Sequence, residues 1–169
     1  MDNVVFKTER MTLRAITQEY LDELFKLFSD PIVMQHFPKT LTKEEVKARI
    51  DKILFNYQTH SAGLWACHLQ ETGAFIGKCG LKFQKNIDGH DEVEVSYILA
   101  LDFWNQGLAT EAVKGTLVYA KSVLSYTRVI SLIRLENYAS RKVAEKNGLA
   151  LEKEVDYKGR KHLLYSINF

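Results

Sequence analysis

The stretch Trp104–Ala112, with the sequence WNQGLATEA, constrains the fold of this chain more than any other. It follows an alternating apolar segment and opens an amphipathic one, so it predicts a strand that turns sharply into a helix. The first backbone N–H groups of such a helix have no intrahelical partner, and the helix dipole is positive there. Because Gly107 and Ala109 have little or no side chain, an anion can approach this backbone closely. The stretch therefore predicts a turn that binds a diphosphate.

Composition indicates a globular protein of ordinary domain size. The 169 residues are 46% hydrophobic and 26% charged, and the formal net charge is +2. Without an internal repeat or a Pro/Gly/Ser-rich linker, residues 1–169 are expected to form a single domain. The chain has no long run of like charges and no apolar stretch long enough for a membrane span, so we expect neither a nucleic-acid nor a membrane partner.

The remaining composition bears on location and metal chemistry. The N-terminus lacks the basic and then apolar pattern of a secretory signal, so we expect a cytoplasmic protein. Cys67 and Cys79 lie in strand-like segments and are interpreted as buried free thiols. The five histidines show no metal-ligand spacing, and we predict no metal.

Periodicity predicts helices interleaved with strands. A helix begins after Thr17 and ends before Asp30, and a capping box of Thr42 and Glu45 opens a second helix. A third helix follows Gly107, and a fourth covers 138–146 and ends at Asn147-Gly148. The predicted strands are Met11–Ile16, Leu64–Leu69, Ala74–Phe83, a segment from Glu92 to Leu99, Val129–Leu135, and a hairpin over Val155–Asn168. The fold class is therefore α+β, with a mostly antiparallel sheet and helices on both faces.

Six motifs, in order over nearly the whole chain, resemble the GNAT superfamily of N-acetyltransferases, and most closely the branch with ribosomal-protein N-terminal (alanine) acetyltransferases. They are Thr8–Arg14, Ser29–Met34, Ile76-Gly77 with Gly80-Leu81, Glu94–Tyr97, Trp104–Ala112, and Asn137–Ser140 with Ala144–Leu149. The resemblance implies a sheet splayed between the family's fourth and fifth strands. It also implies transfer of an acetyl group from acetyl-CoA to a primary amine.

The resemblance places acetyl-CoA, the acyl donor, in the splay. The diphosphate then meets the N–H groups of Asn105, Gln106, Gly107, Leu108, Ala109 and Thr110, and the pantetheine pairs with the backbone of Leu99, Ala100 and Leu101. Asn105 stands where the family often has glycine, but asparagine tolerates a left-handed backbone, so the turn is still expected. Asn137 contacts the pantetheine or caps the following helix. Arg141 contacts phosphate or belongs to a solvated helix face.

For catalysis the resemblance implies direct attack by the amine in a ternary complex. Glu94 is the candidate base, with Glu92 second; the alternative for Glu94 is an exposed residue partnered by lysines. The tyrosine that many members place seven residues after the asparagine is replaced by Ala144. Ser140 is therefore the candidate contact for the thiolate, although a thiolate with a pKa near 8.5 can also leave unassisted.

The acceptor side is the least determined by sequence. Candidate walls, which are alternatively core residues, are Phe28, Met34, His36, Phe37 and Trp65, and the strand contributes Glu92 and Ser96. The acidic run Asp88, Asp91, Glu92 and Glu94 steers a cationic amine, or is simply a solvated turn. The acceptor can be a protein N-terminus or a small amine, and the protein can be a monomer or a homodimer.

Two other functions compete with the transferase. One is an acyl-CoA-binding sensor with weak or no catalysis, which Ala144 in place of the tyrosine favours. The other is a different nucleotide-binding protein, which is disfavoured because the chain has neither a P-loop lysine nor a G-x-G-x-x-G sequence.

Overall fold

The computed structural model describes residues 3–169. In chain order the elements are β1 (Val4–Lys7), β2 (Met11–Ala15), α1 (Leu21–Ser29), α2 (Lys43–His60), β3 (Leu64–Leu69), β4 (Phe75–Ile87), β5 (His90–Leu99), α3 (Leu108–Ser122), β6 (Arg128–Arg134), α4 (Tyr138–Lys146), β7 (Ala150–Tyr157) and β8 (Arg160–Asn168). Short 3₁₀ turns precede α1 and follow β5. The strands form a single sheet in the order β1-β2-β3-β4-β5-β6-β8-β7. The predicted mixed, mostly antiparallel α+β architecture is confirmed.

The structure differs from the sequence prediction mainly in its strands. The edge strand β1 was not predicted, because four residues are too few to show an alternating pattern. The predicted polar turn at 88–91 shrinks to Asp88-Gly89, since a register shift after Gln84 lets β4 continue to Ile87. The last hairpin begins at Ala150 rather than at Val155.

The predicted helix ends are confirmed. The Thr42 side chain accepts from the Glu45 N–H while the Glu45 carboxylate accepts from the Thr42 N–H, which is the predicted capping box. At the end of α4, Gly148 adopts the left-handed conformation, with a φ of 82°.

The two faces of the sheet are buried by different helices. On one face, Val95 and Leu99 of β5 pack in the core with buried α3 residues such as Val113. On the other face, Ile98 packs in a second core with residues of α1 and α2, among them Phe28. Because successive strand side chains point to opposite faces, neighbouring residues of β5 serve two different cores.

The sheet is splayed between β5 and β6. These two strands run parallel. Within residues 3–169, their ladder consists of one residue pair, Glu94 opposite Ile130. Beyond it the Ser131 hydroxyl donates to the Val95 carbonyl at 3.5 Å. By contrast, β4 and β5 pair all the way from Ile87 and His90 to Gly77 and Leu99. The splay that the resemblance implies therefore lies between β5 and β6, and the end of β5 lacks a partner on its β6 side.

Cys67 and Cys79 are buried free thiols, as predicted. Among the helices of residues 3–169, none combines the length and the apolar character that a membrane crossing requires.

Gly77 determines how closely β4 approaches the end of β5. Its φ is 147°, and a Cβ at this position would lie 2.2 Å from the Ile98 carbonyl oxygen. We therefore expect Gly77→Ala to lower the free energy of unfolding by about 2–4 kcal/mol, from backbone strain and the steric clash together. Chemical denaturation measures this loss.

Gly73→Ala is the matched control. Gly73 also has a positive φ, 72°, but no atom lies within 4 Å of its added Cβ. Gly73→Ala should therefore lower the free energy of unfolding by only about 1–2 kcal/mol, the cost of placing alanine at a positive φ. Equal losses in the two variants would contradict a close approach of β4 and β5 at Gly77.

Candidate active site

A cavity of about 550 Å³ opens where β5 and β6 diverge. Its wall comes from the end of β5, the turn into α3, the first turns of α4 and the loop after α1. It brings together ten of the residues predicted from sequence: His36, Phe37, Leu99, Asn105, Gly107, Leu108, Ala109, Thr110, Asn137 and Ser140.

The turn into α3 forms as expected, and Asn105 adopts the left-handed backbone that asparagine tolerates. Asn105 and Gly107 are both left-handed, with φ values of 58° and 75°. Gly107 is the N-cap of α3, so the N–H groups that follow it begin the helix without an intrahelical acceptor. With Ala109 on the cavity wall, an anion can reach this backbone at the positive end of the helix dipole.

The N-terminal segment braces this turn. Arg10 donates from Nη1 to the Gln106 carbonyl at 2.9 Å and from Nε to Glu111 at 2.7 Å. Glu111 also accepts from the Thr8 hydroxyl at 2.6 Å. Partial burial alone would raise the pKa of Glu111, but the hydrogen bonds from Thr8 and Arg10 outweigh it and lower that pKa. The carboxylate therefore stays ionised at neutral pH and holds the turn in place.

At the end of β5, the structure differs from the predicted pantetheine contact with residues 99–101. Leu99 borders the cavity, and its carbonyl accepts from the indole Nε1 of Trp104 at 2.8 Å. The Ala100 N–H donates to the Ile76 carbonyl, and Leu101 begins a 3₁₀ turn. Neither of them lines the cavity, because the strand has ended. The strand backbone that an extended ligand can follow is therefore 97–99 rather than 99–101.

Two hydroxyl groups meet in the cavity. Tyr97 Oη lies 2.9 Å from Ser140 Oγ, and both residues line the wall. Burial raises the pKa of Tyr97, so the phenol is neutral at physiological pH. Asn137 accepts from the Ser140 N–H, which confirms its predicted role as the cap of α4, and it also lines the cavity.

Glu94 lies on the opposite face of β5 from Tyr97. Its exposed fraction is only 5%, so the alternative of an exposed, lysine-partnered carboxylate is wrong. It accepts from Gln84 Nε2 at 2.6 Å, and Gln84 in turn contacts the Tyr157 hydroxyl at 3.0 Å. Ser96 follows on the same face, opposite Gly80. Neither Glu94 nor Ser96 borders the cavity itself.

Several predicted site residues lie elsewhere. Phe28 and Met34 are buried in the second core, and Trp65 packs against Phe6 and Tyr119 in the first. They were offered as walls because an aromatic or thioether side chain has the same sequence signature in a core as in a pocket.

Three predicted polar residues, Glu92, Gln106 and Arg141, also lie outside the cavity, and each has a partner nearby. Glu92 forms an ion pair with Arg128 at 3.0 Å. Arg141 donates to Tyr165 Oη at 3.3 Å and stacks on Tyr138, and it does not reach the cavity. The Gln106 side chain donates to the Asp102 carbonyl. These contacts satisfy the side chains outside the cavity.

Sequence reasoning missed Tyr97 and Gln84. Tyr97 lies on the apolar face of β5 with Val95 and Leu99, and its hydroxyl meets Ser140 only because α4 packs there. Gln84 reaches Glu94 across the β4–β5 ladder. The packing of α4 on β5 and the β4–β5 register bring these partners together, and a single sequence reveals neither.

The loop after α1 completes the cavity with His36 and Phe37. Burial lowers the pKa of His36, so its imidazole is neutral at pH 7. Within residues 3–169, no three His, Cys, Asp or Glu side chains are grouped so that they could hold a metal ion.

Comparisons with known proteins agree with this geometry. A family model described as an acetyltransferase (GNAT) domain matches residues 10–150. The chain is 31% identical to a Bacillus licheniformis protein called uncharacterized N-acetyltransferase p20, over 87% of this chain and 82% of that protein.

Solved structures share the fold. An acetyltransferase from Agrobacterium tumefaciens strain C58 matches with a TM-score of 0.85 at 22% identity, covering 97% of this chain and 94% of that one. RimL, a ribosomal L7/L12 alpha-N-protein acetyltransferase in complex with coenzyme A, matches with a TM-score of 0.79 at 18% identity, covering 98% and 97%.

A buried lysine near Glu94 gives the site a pH signature. Lys78 is 2% exposed and its ammonium lies over the Phe28 ring, 5.6 Å from the centroid. Burial lowers the pKa of Lys78 to about 7, from 10.5. Burying the protonated form of Lys78 therefore lowers the free energy of unfolding by about 5 kcal/mol below pH 7. This loss of stability shrinks as the pH rises towards 10, because the unfolded chain then also gives up the proton.

We expect Lys78→Met to be more stable than the parent chain at pH 7, by up to several kcal/mol. The difference should narrow as the pH rises to 10. Urea denaturation of both proteins at pH 7, 8.5 and 10 measures it. A difference that stays constant over this range would show that the pKa of Lys78 is not lowered.

Proposed function

This chain belongs to the GNAT family of acetyltransferases, and we propose that it transfers an acetyl group from acetyl-CoA to a primary amine in a ternary complex. The observation that carries the proposal is the cavity at the β5–β6 splay. It joins an anion-binding helix start, an open strand edge and a hydroxyl pair in one continuous space. Those are the parts needed to hold a diphosphate, an extended amide chain and a thioester sulfur.

Acetyl-CoA fits this cavity part by part. The N–H groups that follow Gly107 bind the diphosphate, and Lys142 and Lys146 border the same space. The pantetheine extends along 97–99, where β5 has no β6 partner to satisfy its backbone. RimL, which has the same fold, was solved in complex with coenzyme A, and this supports coenzyme A as the ligand.

The reaction needs a neutral amine. An α-amino group has a pKa near 8 and an alkylamine one near 10.4, so a base is most useful for the latter. Glu94 accepts the proton, and its hydrogen bond from Gln84 holds the carboxylate in orientation. Since Glu94 precedes Tyr97 by about 10 Å along the strand, we expect the proton to pass Ser96 through intervening water.

The amine nitrogen then attacks the thioester carbonyl carbon. The C–N bond forms, the C–S bond breaks, and the electron pair leaves with the sulfur. The nitrogen loses its second proton to the hydroxyl pair as the amide forms, and this proton replaces the one that the pair gives to the thiolate. The Tyr97–Ser140 hydroxyl pair stabilises this thiolate by donating a hydrogen bond and then a proton. The pair takes the place of the family tyrosine, whose position holds the buried Ala144.

Glu94→Gln tests the base. The substitution keeps the shape and removes the proton acceptor, so kcat/KM for an alkylamine should fall by about 10²–10⁴ while KM for acetyl-CoA stays the same. Thiol release measures both constants. Glu92→Gln, two residues earlier on the same strand, is the control, because its ion pair with Arg128 predicts a loss of stability and not of turnover. Equal losses in the two variants would contradict the role of Glu94.

Ser140→Ala and Tyr97→Phe test the thiolate contact. Each should lower kcat by about tenfold, the size of one hydrogen bond to a charged group. Because the two hydroxyls act as one unit, the double variant should lose little more than either single variant. Fully additive losses in kcat would contradict a shared role.

The competing function is an acyl-CoA-binding sensor, which Ala144 favours. Acetyl-CoA binding, seen by calorimetry, without thiol release from any amine would support the sensor and overturn the transferase.

A further inference from the structure

The acidic residues that precede Glu94 are already paired with cations. Asp88 binds Lys153 at 2.6 Å, and Asp91 binds Lys85 at 2.7 Å. The Glu92 ion pair with Arg128 is the third. Each of these negative charges is therefore balanced by a neighbouring cation. This does not support the interpretation that the acidic residues steer cationic amines towards the site.

A cation lies instead beside the cavity loop. Arg160, at the start of β8, donates from Nη1 to the His36 carbonyl at 3.3 Å. His36 lines the cavity, so this contact places the guanidinium next to the loop that forms part of the cavity wall, although Arg160 itself does not line the cavity. Among the described residues, no carboxylate lies within salt-bridge distance of Arg160, whereas nearby Arg134 pairs with Glu136 at 3.2 Å. Arg160 therefore adds net positive charge at this point.

The guanidinium has capacity left for a ligand. Arginine has five N–H donors, and Arg160 is partly exposed with one of them directed at His36. The remaining donors form the planar fork that binds a carboxylate or a phosphate at two points. The neighbouring imidazole of His36 is neutral at pH 7, so it does not compete with Arg160 for an anion.

We propose that the acceptor is an amine that also carries an anionic group, a carboxylate or a phosphate, and that Arg160 binds this group. The inference rests on the proposed acetyl transfer and names its acceptor class. The anion sits at Arg160 while the amine reaches the thioester in the cavity. Polyamines are poor acceptors, because their second ammonium group meets the guanidinium.

Small amines that carry an anionic group, no further charge or a second ammonium group test this acceptor class directly. The anionic probes are the amino acids from glycine to 6-aminohexanoate, which vary the distance from amine to carboxylate, and O-phosphoethanolamine. The others are n-butylamine, which is neutral apart from its amine, and 1,4-diaminobutane. We expect kcat/KM for the best anionic probe to exceed that for n-butylamine by about tenfold or more. The diamine should be the slowest. The two anionic arms show whether carboxylate or phosphate is preferred.

Arg160→Gln should abolish this preference. The loss should appear in KM for the anionic amine, while kcat/KM for n-butylamine and KM for acetyl-CoA stay the same. A residue that only held the His36 loop would affect all amines alike. Arg160→Lys should restore part of the preference. Lys161→Gln, at the next position, is the control, because Lys161 pairs with Glu154 on the exposed surface and should keep the preference.

The outcomes separate the two proposals. Equal kcat/KM values for anionic and neutral amines overturn the inference and leave acetyl transfer standing. A preference that survives Arg160→Gln overturns the assignment to Arg160. No thiol release from any probe, with acetyl-CoA bound, overturns the transferase and the acceptor class with it.

Discussion

The candidate site depends on where the pairing between β5 and β6 stops. The two strands meet at Glu94 and Ile130, and the β5 residues beyond them border a cavity instead of a neighbouring strand. Backbone groups at a sheet edge need partners, and an extended amide chain can supply them. A short 3₁₀ turn joins the end of β5 to the turn into α3, so the proposed anion site lies at the end of the same groove.

The alternation of side chains along β5 divides the chemistry between two faces. Glu94 lies on the face of α1 and α2, and Tyr97 lies on the face of α3 and α4. In the proposed mechanism, a base on one face and a hydroxyl pair on the other receive and supply protons on opposite sides of the thioester. A slip of one residue in the β4–β5 register would exchange these positions, and the close approach at Gly77 resists such a slip.

Local signals in the sequence predicted the helix caps, the turn at Asn105 and Gly107, and the α+β class, because each depends on a few adjacent residues. The partners of the site residues were not predictable in the same way. Gln84 reaches Glu94 from another strand, and the Arg10 brace joins residues about one hundred positions apart. The aromatic residues were ambiguous, since burial in a core and exposure to a pocket favour the same side chains.

Hydrogen exchange with and without acetyl-CoA tests the location of the site most directly. If the splay holds the ligand, amides at 97–99 and 105–110 exchange more slowly when acetyl-CoA is bound, and so do those in the first turn of α4. ATP at the same concentration should leave 97–99 unprotected, because it has no pantetheine. Protection by acetyl-CoA elsewhere in the chain, with 97–110 unchanged, would contradict the proposal that the β5–β6 splay is the acetyl-CoA site.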